Sequence, residues 1–233
     1  MLDGRSKQAF KQWLESRPKS WQDGIESVAM DGFSGFKSAC HETLSNAQTI
    51  FDPFHVVRWA GNALDDCRRR VQQNTLGRRG LKEDPLYKRR RLLLTRISLL
   101  TERQFLKLKR LFADKRHLEV EGSWSMYQRA VAAYSDPDPR QGKKRMQELI
   151  DIITDPCLPI ELVELERLGQ TMKKHAASIL AYFDRPGTSN GPTEAINGRL
   201  EHLRGIALGF RNLTNYIARC LLESGGFKTK LHP

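Results

Sequence analysis

IESVAMDGFSGFKSACHETLSNAQTIFDPFH, Ile25 to His55, is the stretch whose reading decides the fold. It holds two short, largely apolar runs, Ile25 to Met30 and Ala47 to Phe51, each ending abruptly in an aspartate, Asp31 and Asp52. Runs of this length, with β-branched residues and turn residues at their ends, read as buried strands. Between them Ser34 to Leu44 has the length and serine start of a crossover helix, and Gly32 and Gly35 permit a tight turn. A strand, helix, strand unit is parallel, so both aspartates are expected at one carboxyl edge of a sheet, where α/β proteins place their ligands. Either acid alone also reads as an ordinary loop aspartate; two on adjacent strands point toward a site.

Outward from this unit, Pro53 begins a helix at its first position, which makes Asp52 an N-cap candidate as well. His55 follows three residues on, on the same side. The pair reads either as an acid with an imidazole partner or as a cap beside a partly buried histidine, and it is too sparse to be a zinc site by itself. A second informative stretch is TSNGPTEAINGRL, Thr188 to Leu200. Gly191-Pro192 reads as N-cap and first helical residue, placing Glu194 in the first turn. There it answers the helix dipole or serves as a metal-holding carboxylate, and both readings stand. Ile196, Leu200 and Leu203 share the face expected to be buried, opposite Glu194.

With these residues in view, the chain resembles the catalytic part of bacterial insertion-sequence transposases of the DDE type, in the group called ISL-three. The matching blocks are VAMDGFSGFKSA (Val28 to Ala39), FDPFHVVRWAGNALDDCRRRV (Phe51 to Val71), GRRGLKEDPLY (Gly77 to Tyr87) and SNGPTEAINGRLEHLRGIALGFRNLTNYIAR (Ser189 to Arg219), with LDGRSK at the start. The resemblance implies an RNase H-like fold in which three acids hold two divalent ions, expected to be Mg2+, for cleavage and strand transfer at insertion-sequence ends. Position by position it makes Asp31 the second catalytic aspartate, Glu194 the catalytic glutamate, and Asp52 with His55 the associated Asp-x-x-His motif. Double-stranded DNA, as transposon ends and target, and a homo-oligomer on that DNA are the implied partners. The first catalytic aspartate has no counterpart: Asp3 precedes Asp31 too closely to leave room for two further strands, and Met1-Leu2-Asp3 reads as the tail of a third strand. Whether the chain alone is an enzyme is therefore open, and an inactive DNA-binding or oligomerising remnant is the alternative.

Charge agrees with a polyanionic partner, and its distribution is more informative than its sum. The 233 residues carry 39 Lys+Arg and 27 Asp+Glu, a net +12. Between Arg68 and Arg116 stand 17 Lys/Arg and four Asp/Glu, so this stretch alone exceeds the net charge of the whole. The candidate DNA contacts are Arg68, Arg69, Arg70, Arg78, Arg79, Arg89, Arg90 and Arg91, joined beyond Glu194 by Arg199, Arg204 and Arg211. A solvated helix face or an RNA-binding surface has the same composition. Trp124 and Tyr127 read as packing residues before they read as stacking platforms.

Cys40, Cys67, Cys157 and Cys220 lack any C-x-x-C spacing and read as reduced thiols in a cytoplasmic protein. No apolar run is long enough to span a membrane. The expected class is α/β, mainly helical: a partial RNase H-like core with parallel strands over residues 1–74 and 186–233, interrupted by a basic all-helical insertion over 75–185. Ser135 to Gly142 is the one linker-like piece.

Overall fold

In the computed structural model, residues 6–31 and 34–224 are described; Met1-Leu2-Asp3, read above as a strand tail, lies outside them. Two strands, β1 (Ser27–Met30) and β2 (Gln48–Phe51), form a two-stranded parallel sheet, and α3 (Ser34–Thr43) is the crossover between them. The strand, helix, strand expectation holds to within two residues at each boundary. The other regular elements among the described residues are helices. Of the parallel strands expected for the core, the described residues hold this pair and its crossover.

By its packing the chain divides into two compact units, Met1–Ala47 with Ser189–Pro233, and Gln48–Thr188. In the first unit α1 (Lys7–Glu15) starts at the cap Ser6, whose hydroxyl accepts the Ala9 N–H at 3.1 Å, and packs on α3. A small core of Leu14, Met30, Cys40 and Leu44 lies here, with Phe10 and Trp13 against it. Glu42 of α3 receives Lys7 and Lys11 of α1, at 2.5 and 2.8 Å, and the Ser38 hydroxyl; Lys11 leads these causes, which together hold its carboxyl down at about 2. A short α2 (Lys19–Asp23) follows Pro18 and has no counterpart among the elements expected from the sequence.

The second unit is built on α4 (Pro53–Leu76), whose buried positions Val56, Ala60, Ala63, Leu64, Cys67 and Val71 recur at helical spacing. Proline sits in its first turn, and at its far end Gly77 takes φ 66°, the left-handed conformation that glycine adopts without steric cost. Short helices α5 (Pro85–Lys88) and α6 (Arg90–Leu93) lead to α7 (Glu102–Phe112), α8 (Leu118–Tyr134), α9 (Pro139–Ile153) and α10 (Val163–Leu180). The linker expected from Ser135 to Gly142 ends at Asp138, which caps α9 by accepting the Arg140 N–H at 2.9 Å. α8 packs on α4 and α9, and α10 on α4 and α9, so the four enclose one apolar core that includes Leu64, Val120, Met146, Leu149, Ile153, Leu165 and Met172. No helix among the described residues is long and apolar enough to cross a membrane.

Candidate active-site carboxylates and basic surface

Asp31 stands one residue past β1 and is exposed. Glu194 lies in the first turn of α11 (Gly191–Ile206), where its N–H donates to the Asn190 carbonyl at 3.0 Å; its side chain is exposed. Asp31 and Glu194 belong to the same compact unit. The cap of α11 is Asn190 rather than Gly191, because the helical turn closes one residue earlier, and Gly191 instead donates to the Ser189 hydroxyl at 3.0 Å. The buried stripe expected on this helix is corrected too: α11 has no buried residue and Ile196 is 42% exposed. Its wheel is amphipathic, but an apolar face is buried only where another element covers it. Gly205 lies within α11, and Gly209, at φ 95°, and Asn212 form the turn to α12 (Leu213–Ser224), the helix on which α11 packs.

Asp52 belongs to the other unit and is 2% exposed. Its Oδ1 accepts the Phe54 N–H at 2.8 Å, so the capping role read from Asp-Pro is what the side chain performs. His55 Nδ1 stands 3.8 Å from the same oxygen, beyond hydrogen-bond reach and within ion-pair range if the ring is protonated. Against the same region, burial first and the Asp52 charge lastly push the Tyr134 phenol far above its ordinary value.

Carboxylates are hard donors suited to Mg2+. Yet among the described residues no group of three or more His, Cys, Asp or Glu gathers where it could hold a metal ion. The three-acid set implied by the resemblance is therefore not assembled by these residues.

The arginines of the basic stretch divide by what they touch. Arg68 is 4% exposed and bonds Asp65 at 2.7 Å. Arg70 joins three helices, with Glu164 of α10 held at 2.7 and 2.8 Å, Glu119 of α8 at 2.6 Å, and the Glu161 carbonyl at 2.8 Å. Arg78 clamps both oxygens of Asp84, at 2.7 and 3.0 Å, and with the Leu81 N–H holds that carboxyl below the usual range. Arg69 is outward-facing but ion-paired with Asp65. Arg79 and Arg91 are exposed, Arg89 is half-buried, and Arg90 lies over the Tyr87 ring at 4.2 Å. Arg199, Arg204 and Arg211 are exposed, Arg204 beside Glu201 at 3.4 Å. Tyr127 is buried, its hydroxyl donating to the Leu94 carbonyl at 2.9 Å, in keeping with a packing role. The four cysteines are free thiols, and burial pushes Cys67 up to about 11. The structural duty of Arg70 leaves no local signal in the sequence, since its partner Glu164 is 94 residues away.

The profile of a family described as transposase, of the DDE and ISL3 type, matches residues 1–220. Transposases for insertion sequence element IS1557 from two Mycobacterium tuberculosis strains, CDC 1551 / Oshkosh and ATCC 25618 / H37Rv, are each 29% identical over 227 residues, covering 89% of this chain and 49% of theirs. The chain thus spans about half the length of the curated relatives it matches. No solved structure matches it. A match running from the first residue through α11 and into α12 takes in both candidate carboxylates and the basic stretch, and the chain belongs to the ISL3-type family of DDE insertion-sequence transposases.

Proposed function

We propose that this chain is the DNA-processing part of an insertion-sequence transposase, acting on double-stranded DNA at element ends by divalent-metal-dependent cleavage and strand transfer, with Asp31 and Glu194 in its metal-holding carboxylate set. The observation that carries this reading is the family match over residues 1–220. Two features support the assignment of residues: Asp31 follows directly on β1 in a parallel pair, and Glu194 opens α11 with an exposed side chain in the same compact unit as Asp31. Asp52 is proposed to hold the start of α4 in place, since its oxygen is spent on the Phe54 N–H. For DNA contact we assign Arg79, Arg89 and Arg91 together with Arg199, Arg204 and Arg211. Arg68, Arg70 and Arg78 spend their charge on Asp65, Glu164 and Asp84.

The test has two arms. In a transposase of the relatives' length that carries this chain, Glu194→Gln should abolish Mn2+-dependent cleavage of DNA bearing the element ends while leaving DNA binding intact; cleavage that survives the substitution overturns the assignment. In the chain itself, Arg79→Gln with Arg89→Gln and Arg91→Gln should flatten the dependence of duplex affinity on salt by about 0.9 for each phosphate that is no longer neutralised. An unchanged slope would assign the duplex to another face.

A further inference from the structure

The loop from Gly77 to Asp84, between α4 and α5, is pinned more firmly than a surface connection requires. Gly77 ends α4 in the left-handed conformation. The Arg78 guanidinium holds both oxygens of Asp84 and also donates to the Arg79 carbonyl at 3.0 Å. Gly80 lies against the buried Gln72 side chain of α4, so closely that a Cβ there would overlap the carboxamide. Gln72 in turn accepts from Arg68 at 3.5 Å, and Arg68 is held by Asp65. The Leu81 N–H donates to the Asp84 carboxylate, and the Asp84 N–H donates back to the Leu81 carbonyl at 3.0 Å. The backbone on both sides of Arg79 is thereby tied to α4 and to the start of α5.

What this framework holds out is Arg79, Leu81 and Lys82, all exposed. Among the described residues neither Arg79 nor Lys82 has a carboxylate within ion-pair distance, while the neighbouring Glu83 is turned to Lys88 at 3.6 Å. A phosphate contact gains little from a fixed backbone, because a long flexible cation reaches a phosphate from many positions and reads no sequence. A contact to a base edge needs the reverse. Two N–H groups of one planar guanidinium must meet two acceptors together, and a loop that wanders loses the match. Arg68 and Asp84 are charged groups kept buried, which stability alone does not call for; their shared effect is to fix the position of Arg79.

We infer that Arg79 reads a base: it enters the major groove of duplex DNA and donates two guanidinium N–H groups to the O6 and N7 of a guanine, with Lys82 on a neighbouring phosphate. Arg78 and Asp84 are positioning residues for it. This rests on the transposase reading and deepens it, since one of the arginines assigned there to DNA becomes the one that recognises sequence.

The test is selection of bound sequences from a random-sequence duplex pool by the full chain, followed by fluorescence anisotropy of the selected duplex and of versions with single guanines replaced by adenine. Replacement of one guanine should weaken binding by about 5- to 150-fold, the range of one bidentate base contact. Arg79→Gln should remove the preference for guanine over adenine at that position. Asp84→Asn still accepts the Leu81 N–H but offers Arg78 no charge, and should relax the preference at the same position. A merely structural role for Asp84 would instead weaken binding to every duplex alike and leave the preference intact. Lys82→Gln should lower the salt slope by about 0.9 and keep the preference. A pool without enrichment, or a guanine preference that survives Arg79→Gln or Asp84→Asn, overturns the inference and leaves the transposase reading untouched. Failure to bind any duplex counts against both.

Discussion

Replacing Arg70 by methionine keeps an aliphatic stem in place and removes the guanidinium that ties α4 to α8 and α10. Its bonds to Glu164, to Glu119 and to the Glu161 carbonyl all vanish at once. The Glu164 side chain is only 10% exposed, so the variant leaves a nearly buried carboxylate without its cation. Breaking a fully buried pair costs about 3–5 kcal/mol; the Arg70 side chain is 29% exposed, water recovers part of this, and the expected loss is about 2–3 kcal/mol. With a urea slope of about 2 kcal/mol per molar, the unfolding midpoint at pH 7 should fall by about 1 M. The cost must also depend on pH. Arg70, ahead of any other cause, holds the Glu164 carboxyl below its usual value. A carboxyl depressed in this way adds stability above its unfolded pKa, near ~4.3, and loses it as pH falls through the lower folded value. The difference between the two proteins should therefore be full at pH 7 and shrink below about pH 4. An unchanged midpoint at pH 7, or a penalty as large at pH 3 as at pH 7, would refute the clamp.

Substitutions at two further positions probe the packing of the second unit. Gly142→Ala would place a Cβ 2.6 Å from the Ala133 carbonyl oxygen and 2.8 Å from the Phe183 ring, so α9 must shift against α8; a loss of about 1–3 kcal/mol should appear as a lower melting temperature. Asp52→Ala should cost about 1–2 kcal/mol through removal of the cap, whereas Asp52→Asn, which also caps, should restore most of the stability and keep DNA cleavage in the longer transposase. If the asparagine variant is as stable as the parent but catalytically dead, Asp52 acts on the reaction as well as on the helix.

Much of the fold around the site could be read from local chemistry. Asp52-Pro53 carries both its cap and its first turn within two residues, and the two apolar runs with a helix-length spacer permit only a parallel crossover. What escaped depends on distant partners. Nothing local to Arg70 distinguishes it from Arg69, yet one is a three-helix clamp and the other lies outward, because Glu164 and Glu119 arrive from other helices. Ile196 illustrates the converse: its periodicity promised burial, yet it is exposed, and Leu200 and Leu203 on the same face are only half-buried. The cap of α11 falls one residue before the expected one because Asn190 and Gly191 are both good caps, and only backbone geometry chooses between them.

The central assignment, that Asp31 and Glu194 serve one metal site, is tested most directly by titrating Mn2+ into the chain and following binding calorimetrically for the parent, Asp31→Asn, Glu194→Gln and the double variant. Both side chains are exposed, so the substitutions leave packing alone. Carboxylates that share an ion should each weaken the same site by at least about tenfold when neutralised, with the double variant scarcely worse than either single one. Two independent, additive effects, or no effect of either substitution, would contradict a shared site.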